Sequence, residues 1–486
     1  MPLILPGNVA SATASTAYLV ANSCRFDGTV GSLLERTSPS DSATNEKIAT
    51  MSFWMKLGAG SITPSASKYI FYNNNASTSP GYFQVQITTD GQMIFVASQY
   101  GGFELKPTRR FRDPSSWYHF CLQHDSTPST PSASSMRLWI NGVLQTDFVT
   151  ERYPAQNNTC NFTQASIYTP IGTYADSYAS FDGYLAEFMV VDGQSLAADQ
   201  FGEFDSDSPG IWKPIDISGI TLGAQGYYLD FEDSSAMGND AGGGADFTAS
   251  NIAATDQATD SPTNNFCTIN PLDNYYAAST FSEGNCKIVT NSSNRTWNTG
   301  TIGLTAGLWY WEVKATEMSS DYQLFGISDI VSTSTTRQLG QDTYSYGLNG
   351  DNGTIYNNSN SSSADWEEIA QGDIIGHYLD LDNNKMYWAK NGTVMNSGTG
   401  FSITAAASTG TGFYLPAFGE YAASDTLTAE ANFGGCSAFT VSSAVTDSND
   451  LGSFEYSPND GGGSSFDSSA KNFLAICTKN LGSDGG

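Results

Sequence analysis

Met136-Arg137-Leu138-Trp139-Ile140 and Lys385-Met386-Tyr387-Trp388-Ala389-Lys390 each read as a strand with alternating faces, and each runs straight into Asn-Gly, at Asn141-Gly142 and Asn391-Gly392. A period of two marks a strand with one buried face. Asn-Gly is the dipeptide that best accepts the positive φ angles of a type I′ hairpin turn. The two hairpins lie in different halves of a 486-residue chain and have different neighbours. Since single cores rarely grow beyond about 250–300 residues, the sequence predicts two antiparallel β-sandwiches in series.

The other strand signals fall into two groups. The first comprises Met51-Ser52-Phe53-Trp54-Met55-Lys56, residues 83–88 returning through Asp90-Gly91 as 93–96, residues 117–122, and residues 184–191. The second begins near Cys286-Lys287-Ile288-Val289 and includes Leu308-Trp309-Tyr310-Trp311-Glu312-Val313-Lys314, where Trp309, Trp311 and Val313 share a face. Between the groups, Pro209, Pro214, Pro262 and Ala241-Gly242-Gly243-Gly244 punctuate the chain, the composition of an irregular linker lying against one or both domains. The expected division is therefore an N-terminal arm or attachment segment (1–20), a first sandwich (21–205), a linker (206–264), a second sandwich (265–435) and a Gly/Ser-rich C-terminal segment (436–486). Phe473-Leu474-Ala475-Ile476-Cys477 forms a docking strand in that last segment. Lys, Arg and Glu are too scarce to furnish the solvent faces of long helices, which leaves an all-β chain.

Twenty basic residues against 49 acidic ones give a formal charge of −29. Direct nucleic-acid binding, which draws its affinity from Lys and Arg neutralising phosphates, is not expected. Two uses of the acidity stay open: colloidal solubility, and Ca²⁺ held in carboxylate-rich loops. The seven cysteines show no C-x-x-C spacing, so zinc and redox chemistry are not indicated, and most are expected to be reduced core residues. No stretch approaches about 18 uninterrupted apolar residues, so membrane insertion is not expected. Residues 1–7 lack the features of a signal peptide, which points to synthesis in a cytoplasm.

His119, His124 and His377 are isolated, two of them in strand patterns, and make neither a catalytic triad nor a metal cluster. Glycoside hydrolysis requires two carboxyls flanking a bond. The nearest pairs, Glu203 with Asp205 and Asp230 with Glu232, lie in the linker region or at a strand end. No catalytic residue is therefore assigned and no cofactor is expected. Asp380-Leu381-Asp382-Asn383-Asn384-Lys385 lacks the sixth-position Gly and closing Glu of an EF-hand and reads as a hairpin turn, so metal ligands are unassigned. Tyr100, Tyr168, Tyr174, Tyr178 and Tyr421 sit among small polar residues in loops, a composition suited to recognition and to stacking on sugar rings. Of these, Tyr100, Tyr174 and Tyr178 are the candidate ligand-binding residues.

Cys24-Arg25-Phe26-Asp27-Gly28, Phe53-Trp54-Met55-Lys56, Trp117-Tyr118-His119-Phe120, Leu138-Trp139-Ile140-Asn141-Gly142 and Phe181-Asp182-Gly183-Tyr184-Leu185-Ala186-Glu187-Phe188 together resemble a concanavalin A-like jelly roll of the laminin-G type. Gly307-Leu308-Trp309-Tyr310-Trp311-Glu312-Val313, Phe325-Gly326-Ile327, Asp380-Leu381-Asp382 and Trp388-Ala389-Lys390-Asn391-Gly392 resemble a SPRY domain. The connectors Val191-Asp192-Gly193-Gln194-Ser195-Leu196, Trp212-Lys213-Pro214 and Tyr228-Leu229-Asp230-Phe231, with Ala475-Ile476-Cys477-Thr478-Lys479-Asn480-Leu481 at the end, resemble virion proteins of tailed bacteriophages, especially marine ones. That resemblance implies a virion-surface protein without catalysis: a tail fibre, head fibre or capsid decoration protein. It would touch other virion proteins, form a homo-oligomer with a trimer favoured, and recognise a host cell-surface glycan. The alternatives are a virion-borne polysaccharide-degrading enzyme and a purely architectural cement protein.

Overall fold

The structure, a computed structural model, describes residues 18–483 apart from 63, 75–80, 98–101, 175–178, 207, 320–321, 363–365 and 460–471. The chain is all-β and divides into two compact units, the first ending at Thr263 and the second running from Asn264 onward.

In the first unit, two eight-stranded antiparallel sheets enclose one core. The first sheet runs Val143–Leu144, Met136–Ile140, Tyr118–Asp125, Ile48–Leu57, Asp182–Asp192, Ser23–Asp27 and Gln257–Ala258, with Tyr227–Leu229 also paired to Asp182–Asp192. The second runs Phe148–Arg152, Glu104–Pro107, Met93–Ala97, Tyr82–Ile87, Lys68–Asn74, Tyr168–Ile171, Leu33–Thr37 and Thr248–Ser250. Phe53 and Phe188 from the first sheet meet Phe71 from the second, with the Phe71 and Phe188 rings 6.2 Å apart. Met51, Phe53, Met55 and Leu57 face this core, as alternation predicts. The opposite face of the same strand is buried as well: Thr50, Ser52, Trp54 and Lys56 are each 3% exposed or less. The cover is the chain from about 196 to 263, the stretch read largely as linker. Its Ala198, Phe201 and Ile217 pack on Cys121, Met189 and Val191 of the sheet.

The second unit repeats this plan. A nine-stranded sheet centred on Leu308–Met318, flanked by Leu427–Asn432 and Ile374–Asp380, opposes a six-stranded sheet built around Gln323–Ser328 and Leu415–Glu420. Trp309, Trp311 and Val313 face the core with Trp388. Tyr310, on the other face, lies under Phe454 and Phe473 of the C-terminal segment. Leu474–Ala475 adds a short parallel strand to Leu308–Met318. All seven cysteines are buried.

Both Asn-Gly turns form as read, with φ of 48° and 73° at Asn141 and Gly142, and 48° and 81° at Asn391 and Gly392. Each asparagine bonds twice to one residue of the preceding strand. Asn141 N–H donates to the His119 carbonyl while its Oδ1 accepts His119 N–H; Asn391 does the same with Ile374. In each unit an aromatic from the covering layer seats on the turn glycine: Trp212 on Gly142, and Tyr456 on Gly392. A Cβ at position 142 would stand 2.2 Å from the Trp212 ring. Gly142→Ala is accordingly expected to destabilise the first unit by about 2–4 kcal/mol, from overpacking plus the positive φ. In a Trp212→Ala background only the smaller, φ-dependent part should remain, a difference that urea denaturation of both pairs measures.

Candidate functional site

Tyr174 is the described member of the three candidate ligand residues; Tyr100 and Tyr178 lie outside the described residues. Its ring packs on Tyr72 with centroids 4.5 Å apart and on Tyr69 at 4.9 Å. A register shift explains how Tyr69 and Tyr72, three residues apart, reach the same side. Strand Lys68–Asn74 gains one residue against Tyr82–Ile87 between Tyr69 and Phe71. This bulge sends both Ile70 and Phe71 into the core and leaves both tyrosines on the outer face. Gln86 stands opposite Tyr69 and Gln84 opposite Tyr72, so two amides border three phenol rings. Tyr72 is 2% exposed, whereas Tyr69 and Tyr174 are half-buried. Burial raises the Tyr69 and Tyr72 hydroxyl pKa values, keeping both protonated. The site is thus a neutral aromatic cluster that reaches solvent through Tyr69 and Tyr174, with amide and hydroxyl groups at its edge.

Sequence reasoning found Tyr174 through its loop composition and missed Tyr69 and Tyr72. They sit inside a strand, and only the bulge turns them outward together. Tyr168 instead donates to Glu35 Oε2 at 2.5 Å. In the second unit Tyr421 packs with Tyr356 and Tyr322, at 5.2 and 5.8 Å, under the Arg295 guanidinium.

The histidines are core groups. His119 Nδ1 accepts the Trp212 indole N–H at 3.0 Å, which places the remaining ring proton on Nε2, 2.9 Å from Ser52 Oγ. A ring that donates to the serine cannot take its proton, so the pair is no nucleophile and base. Burial lowers the His119 and His377 pKa values to about 3 and that of His124 to about 4. Glu203 and Asp205 both pair with Lys213, at 3.2 and 3.4 Å. Asp380 accepts Asn383 N–H within the hairpin turn, and Asp382 accepts the N–H of Gly307, just before the neighbouring strand Leu308–Met318. Among the described residues no three His, Cys, Asp or Glu side chains assemble into a group able to hold a metal ion.

Residues 35–200 match a family of the concanavalin A-like lectin/glucanases superfamily, and residues 308–431 match the SPRY domain family. The chain carries a concanavalin A-like domain and a SPRY domain. Neither match extends over residues 201–263 or 436–483, which include the covering segments described above. Similar solved structures include the SPRY domain of human HERC1, at 14% identity over 32% of this chain and 89% of that one, with a TM-score of 0.26. Another is the native heptameric SAP-like pentraxin from Limulus polyphemus, at 16% identity over 38% and 82%, TM-score 0.26. Stonustoxin is 20% identical over 34% of this chain and 27% of its own, TM-score 0.25. A comparison with curated proteins finds no match. A lectin-like domain followed by a SPRY domain suggests a binding role.

Proposed function

We infer that this is a non-enzymatic surface protein of a tailed-phage particle, binding a host-surface glycan through the concanavalin A-like domain. The Tyr69–Tyr72–Tyr174 cluster carries the glycan reading, because the part-exposed, mutually tilted rings of Tyr69 and Tyr174, packed with Tyr72 and bordered by Gln84 and Gln86, offer a sugar both apolar contact and hydrogen bonds. The phage reading rests on the likeness of the connectors and of residues 475–481 to virion proteins. Trimeric display on a particle would multiply weak contacts of this kind. Glu203 and Asp205, the carboxyls nearest to a glycosidase pair, share Lys213 on a small surface hairpin.

The test is binding of the purified chain to an array of bacterial surface polysaccharides. Tyr174→Ala is expected to weaken the best ligand about fivefold, equivalent to about 1 kcal/mol for one stacked ring. Unchanged affinity in that variant, or no polysaccharide bound at all, would sink the reading. New reducing ends released from a bound polysaccharide, and lost on changing Glu203 or Asp205, would replace it with the enzyme.

A further inference from the structure

Strand Asp182–Asp192 gains one residue against Ile48–Leu57 between Ala186 and Met189. The break falls at Glu187, whose φ of 49° lies in the left-handed region that non-glycine residues occupy at a cost. This second bulge turns Leu185 and Phe188 into the core and keeps the Glu187 carboxyl on the outer face, only 6% exposed under the covering layer. Oε1 accepts the Tyr228 hydroxyl at 2.8 Å and Oε2 the Tyr18 hydroxyl at 3.1 Å. No lysine, arginine or histidine among the described residues pairs with it. Burial, reinforced by the charges of Asp230 and Glu232, pushes its pKa up to about 7; Asp216 adds a further negative charge beside Tyr18.

Tyr228 also lines a cavity. It stands opposite Met189 in the sheet, and the two residues, with Ile217, Ile220, Leu222 and Gly242, bound a space of about 670 Å³, within the range of small-molecule sites. The walls mix the apolar side chains of Met189, Ile217, Ile220 and Leu222 with the polar groups of Ser218 and Thr221, and the charges around Tyr228 and Tyr18 are all negative, in a chain of net charge −29. Anions are therefore disfavoured. A neutral apolar guest would leave the buried carboxyl without a counter-charge, whereas a phenol ring whose hydroxyl donates to a carboxylate attracts a cation at its face.

We propose that this cavity binds a small organic cation with an apolar body, a substituted ammonium held against the Tyr228 ring, with Glu187, which does not line the cavity itself but accepts the Tyr228 hydroxyl behind its wall, as the counter-charge. The site is independent of the glycan reading: it lies on the outer face of the first sheet, whereas Tyr69 and Tyr72 belong to the second.

Calorimetric titration of the whole chain with choline and with its uncharged isostere, 3,3-dimethylbutan-1-ol, tests the proposal. At pH 8 choline should bind at least about tenfold tighter than the alcohol. At pH 5.5, with Glu187 protonated, choline should weaken at least about fivefold while the alcohol is unchanged. Glu187→Gln should abolish the preference for choline. Ala241→Trp, at the exposed rim of the cavity, should exclude both compounds without touching the carboxyl. Equal affinity for the two compounds, choline affinity independent of pH, no choline binding at millimolar concentration, or full binding in either variant would each overturn it.

Discussion

Asp260→Ala is expected to lower the stability of the first unit by about 3–5 kcal/mol, the range for removing one member of a buried ion pair. Lys56 is fully buried and Asp260 is 1% exposed, with Nζ 2.6 Å from Oδ2. Oδ1 accepts the Trp117 indole N–H at 3.0 Å, and the Asp260 carbonyl accepts the Ser23 hydroxyl at 2.6 Å. Asp260 thereby ties the end of the covering layer to three strands or strand ends of the first sheet, to two of them through its carboxylate and to Ser23 through its backbone. Removing it takes the carboxylate counter-charge away from a fully buried ammonium. Replacing both partners, Lys56→Met with Asp260→Ala, should recover most of the loss, because an apolar pair in place of a buried ion pair is close to neutral. Urea unfolding of the whole chain, followed by the transition that Trp117 and Trp54 report, measures both. An Asp260→Ala chain as stable as the parent would show that the pair is solvated.

Glu312→Ala should cost the second unit about 3 kcal/mol, the order expected when buried donors lose their acceptor. The Glu312 carboxylate accepts Tyr310 O–H at 2.9 Å, Asn432 Nδ2–H at 2.9 Å, and the backbone N–H groups of Glu455 and Tyr456 at 3.1 and 2.8 Å. The last two belong to the C-terminal layer, so the variant should also expose that layer to protease. Burial raises the Glu312 pKa from 4.5 to about 7, against the opposing effect of those four bonds. The folded state then holds this proton more tightly than the unfolded chain. Its contribution is fully present below pH 4.5 and is lost as the pH climbs to 7. The melting-temperature gap between the parent and Glu312→Gln should accordingly be wider at pH 5 than at pH 8. A gap that narrows on acidification would contradict the assignment.

Much of this architecture is legible from local pattern. Alternation in residues 51–56 and 308–314 marks core faces that the structure confirms, and Asn141-Gly142 and Asn391-Gly392 turn as their backbone preferences require. The bulges at Ile70 and Glu187 were not legible. A one-residue break inside an apolar run looks like an ordinary strand, yet it decides that Tyr69 joins Tyr72 and that Glu187 is buried beside Tyr228. Two of the three rings of the aromatic site were therefore invisible: composition pointed to Tyr174, and its two partners were hidden within a strand.

Strand formation, turn type and the pairing of two sandwich domains follow from the residues themselves, because steric preference and period act between near neighbours in the chain. Which faces of those sheets meet water does not. Lys56 and Asp260 are 204 positions apart, and Glu312 meets Glu455 and Tyr456 across 143 and 144. Glycine- and proline-rich segments carry no period to announce that they will lie down on a sheet. They are held by scattered anchors such as Phe201, Trp212, Phe454 and Phe473, and only the folded chain brings each anchor to its place. The buried charges, the strained Glu187 and the cavity beside it all arise from that long-range cover.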